Sequence, residues 1–125
     1  MKKRIILPVL AAAFAAVPNA DGDSYDNGDK VGGIIGQICE RGYKAVGLSA
    51  KNVKARGYRD VGGLVGSTHA NTIQGDVDGV EIIIDKLTNP YGKADENGGE
   101  LVGRQVESGA EISGNVTNSS VKVIK

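Results

Sequence analysis

A glycine-punctuated hexamer recurs along the chain and constrains its fold more than any other feature. Val31-Gly32-Gly33-Ile34-Ile35-Gly36 returns thirty residues later as Val61-Gly62-Gly63-Leu64-Val65-Gly66, and thirty-seven residues after that as Gly98-Gly99-Glu100-Leu101-Val102-Gly103. A period of this length indicates a repeat array, because one unit cannot bury its apolar side alone and must stack on the next. Glycine at fixed places suits tight turns and closely stacked backbones.

A second landmark follows the last two hexamers and predicts strands. Ile73-Gln74-Gly75-Asp76-Val77 and Ile112-Ser113-Gly114-Asn115-Val116 share the pattern Ile-x-Gly-x-Val, which has the two-residue period of a strand. Lys44 to Arg56 is the stretch richest in helix formers, but its Gly and Val favour strand there as well. We therefore expect an all-β fold, a short β-solenoid-like array; a small β-sandwich or barrel is the alternative, because it also uses short strands and glycine turns. Stacking of Ile34, Leu64 and Leu101 on successive rungs would distinguish the two.

The first twenty residues have the order of an export signal. Lys2, Lys3 and Arg4 precede an apolar stretch that is too short to span a membrane, and small residues follow it. Residues 1–20 are therefore predicted to be a signal peptide that is cleaved between residues 15 and 20. The alternative is that the stretch forms an apolar N-terminal strand of the fold. Export predicts an extracellular or cell-surface protein, with the periplasm as a further location.

The remaining chain is predicted to form one domain. Residues 21–30 are an acidic segment that the sequence predicts to be disordered, and residues 31–125 are the β-repeat domain. The longer second period is explained by a surface loop at 86–97, where turn dipeptides such as Asn89-Pro90 and Asn97-Gly98 occur.

Charge excludes some partners. The chain has 15 basic and 15 acidic residues, and cleavage of the leader would remove three basic ones. A mildly acidic protein is a poor ligand for a phosphate backbone, so no nucleic-acid partner is expected. The chain after the leader has no apolar run of membrane length, so an integral membrane protein is not expected either.

The repeats resemble a known family. Gly63-Leu64-Val65-Gly66, with its weaker counterparts at residues 33–36 and 100–103, looks like the GLUG motif of bacterial surface proteins, which include adhesins and the passenger regions of some immunoglobulin A1 proteases. Residues 61–77 match best, residues 98–116 match with Glu100 in place of a glycine, and residues 31–53 match only at their start. The resemblance implies a β-solenoid-like array on an extracellular protein, with no catalytic residue to carry over.

Two groups of residues are candidates for ligand binding. The segments Arg41-Gly42-Tyr43 and Arg56-Gly57-Tyr58 could form a basic aromatic patch for a glycan or an anionic surface, whereas the alternative is that they are turn residues. Oxygen ligands for Ca²⁺ are offered by Asp21, Asp23, Asp26 and Asp29, although their spacing does not follow an EF-hand and a solvated acidic segment is the preferred interpretation. No other cofactor is expected.

Few residues of this sequence are candidates for catalysis. His69 is the only histidine and Cys39 the only cysteine, so neither a zinc site nor an internal disulfide is predicted. The first hypothesis is a non-catalytic, secreted or cell-surface structural and adhesive module that binds an extracellular protein or glycan and is able to self-associate. The alternative is a small exported hydrolase or enzyme inhibitor on a β fold, in which Cys39 or His69 carries the chemistry.

Overall fold

The computed structural model describes residues 9–12, 19–21, 29–86 and 97–124. All of their regular elements are strands, which confirms the prediction of an all-β protein. In chain order they are β1 (Val9–Ala12), β2 (Asn19–Asp21), β3 (Asp29–Gly32), β4 (Ile35–Ile38), β5 (Lys44–Lys51), β6 (Lys54–Gly57), β7 (Arg59–Gly62), β8 (Val65–Thr68), β9 (Thr72–Asp78), β10 (Glu81–Asp85), β11 (Gly98–Gly99), β12 (Val102–Gln105), β13 (Glu111–Ser113), β14 (Val116–Thr117) and β15 (Ser120–Ile124).

The strands wind into a solenoid with four sheets. Sheet A contains β1, β5, β9 and, beside β9, both β13 and β14; sheet B contains β2, β6, β10 and β15; sheet C contains β3, β7 and β11; and sheet D contains β4, β8 and β12. Each coil visits the sheets in the order A, B, C, D. Every pairing among the described strands is parallel, which is the arrangement of stacked coils and not of the antiparallel sandwich or barrel considered as the alternative.

The glycine hexamers lie in register on successive coils. Gly62 pairs with Gly32 on one side and with Gly99 on the other. The amide of Ile34 donates to the carbonyl of Leu64 at 3.2 Å, and the amide of Leu64 donates to the carbonyl of Leu101 at 2.9 Å. The three aliphatic residues therefore stack as the repeat interpretation requires.

The second landmark is also in register, because Ile73 pairs with Ile112 and Val77 with Val116. Inward-facing side chains at paired positions of successive strands form columns, and these columns make up the core. Ala45 pairs with Ile73 in one column, and Ala55 pairs with Ile82 in another. These four side chains are fully buried. Burial of such columns is the main stabilising contribution in a fold that has no disulfide among its described residues.

The turn between sheets C and D, which we call the glycine corner (residues 32–35, 62–65 and 99–102), requires glycine for space. A Cβ on Gly62 would lie 2.0 Å from the carbonyl oxygen of Val65 and 2.7 Å from the amide nitrogen of Gly103 on the next coil. A side chain therefore cannot enter this corner without moving the backbone, which explains why the motif keeps glycine there.

Two sequence-based boundaries can be compared with the structure. β1 and β2 pair with β5 and β6, so the first coil begins upstream of the predicted domain start at residue 31. The predicted insertion falls between β10 and β11 and does not disturb the register on either side, although residues 87–96 themselves lie outside the described part. The residues around the predicted cleavage site, 13–18, also lie outside it. No helix in the described residues is long and apolar enough to cross a membrane.

Candidate binding surface

Sheet A presents the widest outward face of the solenoid. Its strands β5 and β9 have eight and seven residues, and buried and more exposed positions alternate along β9 and most of β5 because successive side chains point to opposite sides. The bulge at Val46-Gly47, where Gly47 has a φ of 69°, locally interrupts this alternation. The outward face, which we call the A face, is polar and is formed by Lys44, Ser49, Lys51, Thr72, Gln74, Asp76, Asp78, Glu111, Ser113, Asn115 and Thr117.

Hydrogen bonds between coils fix several side chains of the A face. The amide of Asn115 donates to Oδ1 of Asp76 at 3.0 Å, and Nδ2 of Asn118 donates to Oδ1 of Asp78 at 3.3 Å. The amide of Gly47, at the bulge, donates to Oε1 of Gln74 at 2.8 Å. These contacts hold acceptor oxygens at fixed places, which is the arrangement that a hydroxyl-rich or amide-rich ligand recognises.

One edge of the A face meets the turns that lead from sheet D into sheet A, residues 39–43, 69–71 and 106–110, which we call the polar corner. Asn71, only 3% exposed, crosslinks these turns. Its Nδ2 donates to the carbonyl of Glu40 at 2.8 Å, and its Oδ1 accepts from the amide of Tyr43 at 2.8 Å. Because these backbone groups belong to the preceding turn, Asn71 joins successive coils at the corner.

Glu107 occupies the outer part of the polar corner. Nε and Nη2 of Arg41 donate to its two carboxylate oxygens at 2.5 and 2.8 Å, and the amide of Ala70 donates to Oε2 at 3.3 Å. The hydrogen bonds from Arg41 are the main reason that the pKa of Glu107 is lowered to about 2, and the same contact raises the pKa of Arg41. The bidentate pair therefore ties the turn before β5 to the turn before β13.

His69 lies beside this pair without completing a catalytic arrangement. Its Nδ1 is 3.6 Å from Oε2 of Glu107, which is longer than a hydrogen bond. Cys39 is exposed, and it follows Ile38 as His69 follows Thr68, with Ile38 and Thr68 paired in register. The two residues are therefore at equivalent positions of successive coils, one strand spacing apart.

The predicted basic aromatic patch does not form. Arg41 and Tyr43 lie at the polar corner, before β5, whereas Arg56 and Tyr58 lie where sheet B leads into sheet C. Tyr58 is only 1% exposed, and Arg56 forms an ion pair with the buried carboxylate of Asp85. Arg56 and Gly57 belong to β6, whereas Gly42 lies in a turn with a φ of 80°, so the two segments do not share a local structure. Burial removes Tyr58 from any ligand surface.

The predicted calcium ligands are divided by the structure. Asp21 belongs to β2 and Asp29 to β3, whereas Asp23 and Asp26 lie outside the described residues. Within the part of the chain that the structure describes, no three His, Cys, Asp or Glu side chains are grouped so that they could hold a metal ion.

Asn71 and Glu107 were missed by sequence reasoning, although the repeat contained a usable signal. A shift by the two periods of the hexamer aligns Glu40 with Ala70 and Ala70 with Glu107. The periods therefore predict that the turns after the three hexamers share one corner. The alignment does not predict which side chains in these turns form hydrogen bonds with each other.

Comparison with known proteins found no family model, no curated protein and no solved structure that matches this chain. The resemblance to GLUG-motif proteins therefore rests on the quoted residues alone and stays a prediction.

Proposed function

We propose that the protein is an exported, non-catalytic structural and adhesive module of the cell surface or extracellular space. The A face binds an extracellular protein or glycan. The observation that carries this proposal is the A face itself. Three stacked coils hold its amide, hydroxyl and carboxylate groups at fixed positions, and these outward-facing groups take no part in packing the core.

Charge favours this ligand class over nucleic acid. Asp76 and Asp78 lie on the central strand of the A face, and their negative charge repels phosphate groups. Ser49 pairs in register with Asp76, and Lys51 pairs with Asp78. Such mixed donors and acceptors suit the hydroxyl groups of a glycan or the polar groups of a protein loop.

Export is supported by the sequence of the first twenty residues, and a surface location by the GLUG-like hexamers. Fractionation of the producing cells, with N-terminal sequencing of the recovered protein, would test both points. An intact N-terminus on cytoplasmic protein would contradict them.

The A face is tested by a matched pair of substitutions. Ser49→Arg adds a long cation to the A face beside Asp76, whereas Gln37→Arg adds the same group to an exposed position of sheet D. The probes are an array of surface glycans and a panel of extracellular matrix proteins. We expect Ser49→Arg to weaken binding at least tenfold, with Gln37→Arg close to wild type. Equal effects, or no binding of wild type to any probe, would overturn the proposal.

A second candidate function is a small exported hydrolase, and one observation favours it. The register gives Cys39 and His69 equivalent positions on successive coils, and Nδ1 of His69 is 3.6 Å from Oε2 of Glu107. Cys39→Ser and His69→Ala should then each abolish ester or peptide hydrolysis by the purified chain. If both variants retain the activity of the wild type, this candidate is eliminated.

A further inference from the structure

The C-terminal end of the solenoid leaves inward-facing apolar columns uncovered. Val116 pairs in register with Val77, and Val121 pairs with Ile82. Val77 and Ile82 are 1% and 0% exposed, whereas Val116 and Val121 are 46% and 39% exposed. The difference arises because no described strand lies beyond β14 or β15 to continue the columns. This end also presents unpaired backbone groups of a parallel edge.

The N-terminal end is uneven in height. Sheets A and B are four strands deep because β1 and β2 add a layer, whereas sheets C and D are three strands deep. Without β1 and β2, each sheet of the described residues would have three layers. One end would be formed by β3, β4, β5 and β6 and the other by β11 to β15, so every sheet at one end could pair with the same sheet at the other end of a second copy.

We infer that the leader region caps the solenoid, and that its removal allows copies of this chain to stack end to end. In the stack, β13 and β14 of one copy pair with β5 of the next, and β15 pairs with β6. In the same way β11 pairs with β3 and β12 with β4. An uncut chain cannot make all four pairings, because β1 and β2 create a step of about 4.8 Å, one strand spacing. A head-to-tail contact of this kind does not close, so it produces linear assemblies.

The columns inside one chain show which side chains would meet. Ala50 and Val116 both pair with Val77, so Val116 of one copy would cover Ala50 of the next. By the same rule Val121 would meet Ala55, since both pair with Ile82. Small residues would thus face larger ones, as Ala55 and Ile82 already do within the chain.

The charged positions are compatible with this register. Lys44 and Glu111 both pair with Thr72, so the stack brings these opposite charges together on the outward face. Lys122 would come beside Arg56, which is already engaged by the carboxylate of Asp85. The inference adds self-association to the proposed adhesive module and rests on the removal of the leader that this proposal includes, but its test does not depend on export.

The experiment uses the full chain with a specific protease site in place of residues 13–18, which lie between β1 and β2. Sedimentation velocity is measured before and after the cut. We expect a monomer before cutting and a ladder of assemblies afterwards, because β1 is released and the three-residue β2 is displaced by the five-residue β15. A cut chain that stays monomeric, or an uncut chain that assembles equally, would overturn the inference. So would loss of the β-sheet circular dichroism signal on cutting, since β1 would then be part of the folding core.

Two further measurements identify the surface. Val116→Lys and Val121→Lys should each return the cut chain to a monomer. Ala70→Lys should not, because Ala70 is partly exposed but lies in the middle coil, away from both ends of the stack. Uncut chain added in small amounts should shorten the assemblies. Its C-terminal end can join an assembly, but its N-terminal end is capped by β1 and β2, so no further copy can add there. Unchanged length, or equal effects of the three lysine variants, would show that the contact lies elsewhere.

Discussion

The glycine corner and the polar corner both turn the chain from one sheet to the next, but they do so with different atoms. At the glycine corner the stacked backbones touch, and the space for a side chain at Gly62 is already filled by main-chain atoms. At the polar corner the coils are joined by the side chains of Asn71 and Glu107. The glycine corner is therefore limited by volume, whereas the polar corner depends on hydrogen bonds that are buried at Asn71 and accessible to water at Glu107.

The largest effect is expected at the glycine corner. Gly62→Ala would place a methyl group 2.0 Å from the oxygen of Val65 and 2.7 Å from the nitrogen of Gly103, so the backbone of two coils must shift. We expect the free energy of unfolding to fall by about 3 kcal/mol, measured by urea denaturation. Gly99→Ala is the control. Its Cβ would clash only with the oxygen of Val102, at 2.3 Å, while its other neighbours are at 3.3 Å or more. If both variants lost the same free energy of unfolding, contact with the following coil would not be the reason for the large effect at Gly62.

A smaller effect is expected from the buried part of the polar corner. Asn71→Ala removes the partners of the Glu40 carbonyl and the Tyr43 amide, and it leaves these groups unsatisfied. The expected loss is about 2 kcal/mol in the same denaturation assay. Gln74→Ala also removes a side-chain acceptor from a backbone amide, that of Gly47, but at an exposed site where water can replace it. That control should be nearly neutral, and a loss as large as that of Asn71→Ala would show that burial is not the cause.

The smallest effect is expected at the exposed part of the polar corner, and it should depend on pH. The pKa of Glu107 is lowered from 4.5 to about 2, so its contribution to stability is fully present above pH 4.5 and is lost as the pH falls towards 2. Glu107→Gln should therefore lower the melting temperature slightly at pH 7, and this difference should vanish near pH 2. A difference that is constant over this range would show that the Arg41 ion pair is not responsible.

Much of the fold could be predicted because its information is local and periodic. The alternation in Ile73 to Val77 indicates a strand whatever surrounds it, and recurrence of the pattern at Ile112 to Val116 predicts that the two strands stack. The candidate site was less predictable. The likeness of Arg56-Gly57-Tyr58 to Arg41-Gly42-Tyr43 predicts that Tyr58 lies on the surface. The structure instead buries Tyr58, which is only 1% exposed. A residue type and its neighbours in sequence do not determine which corner of the coil it occupies.

The sequence by itself determined that the fold is built from strands and which positions recur from one repeat to the next, because glycine fits where backbones touch closely and because apolar residues at period two must face a common core. The parallel pairing of the strands in the tertiary structure decided that the repeats form a solenoid and not a sandwich or barrel. The tertiary structure alone decided how each position is used. It joined Arg41 to Glu107, which are 66 residues apart. It also buried Val77 and exposed Val116, although both occupy the same column. The physical reason is that burial and bonding depend on the coil that lies above or below a residue, and that coil is set by the winding of the whole chain.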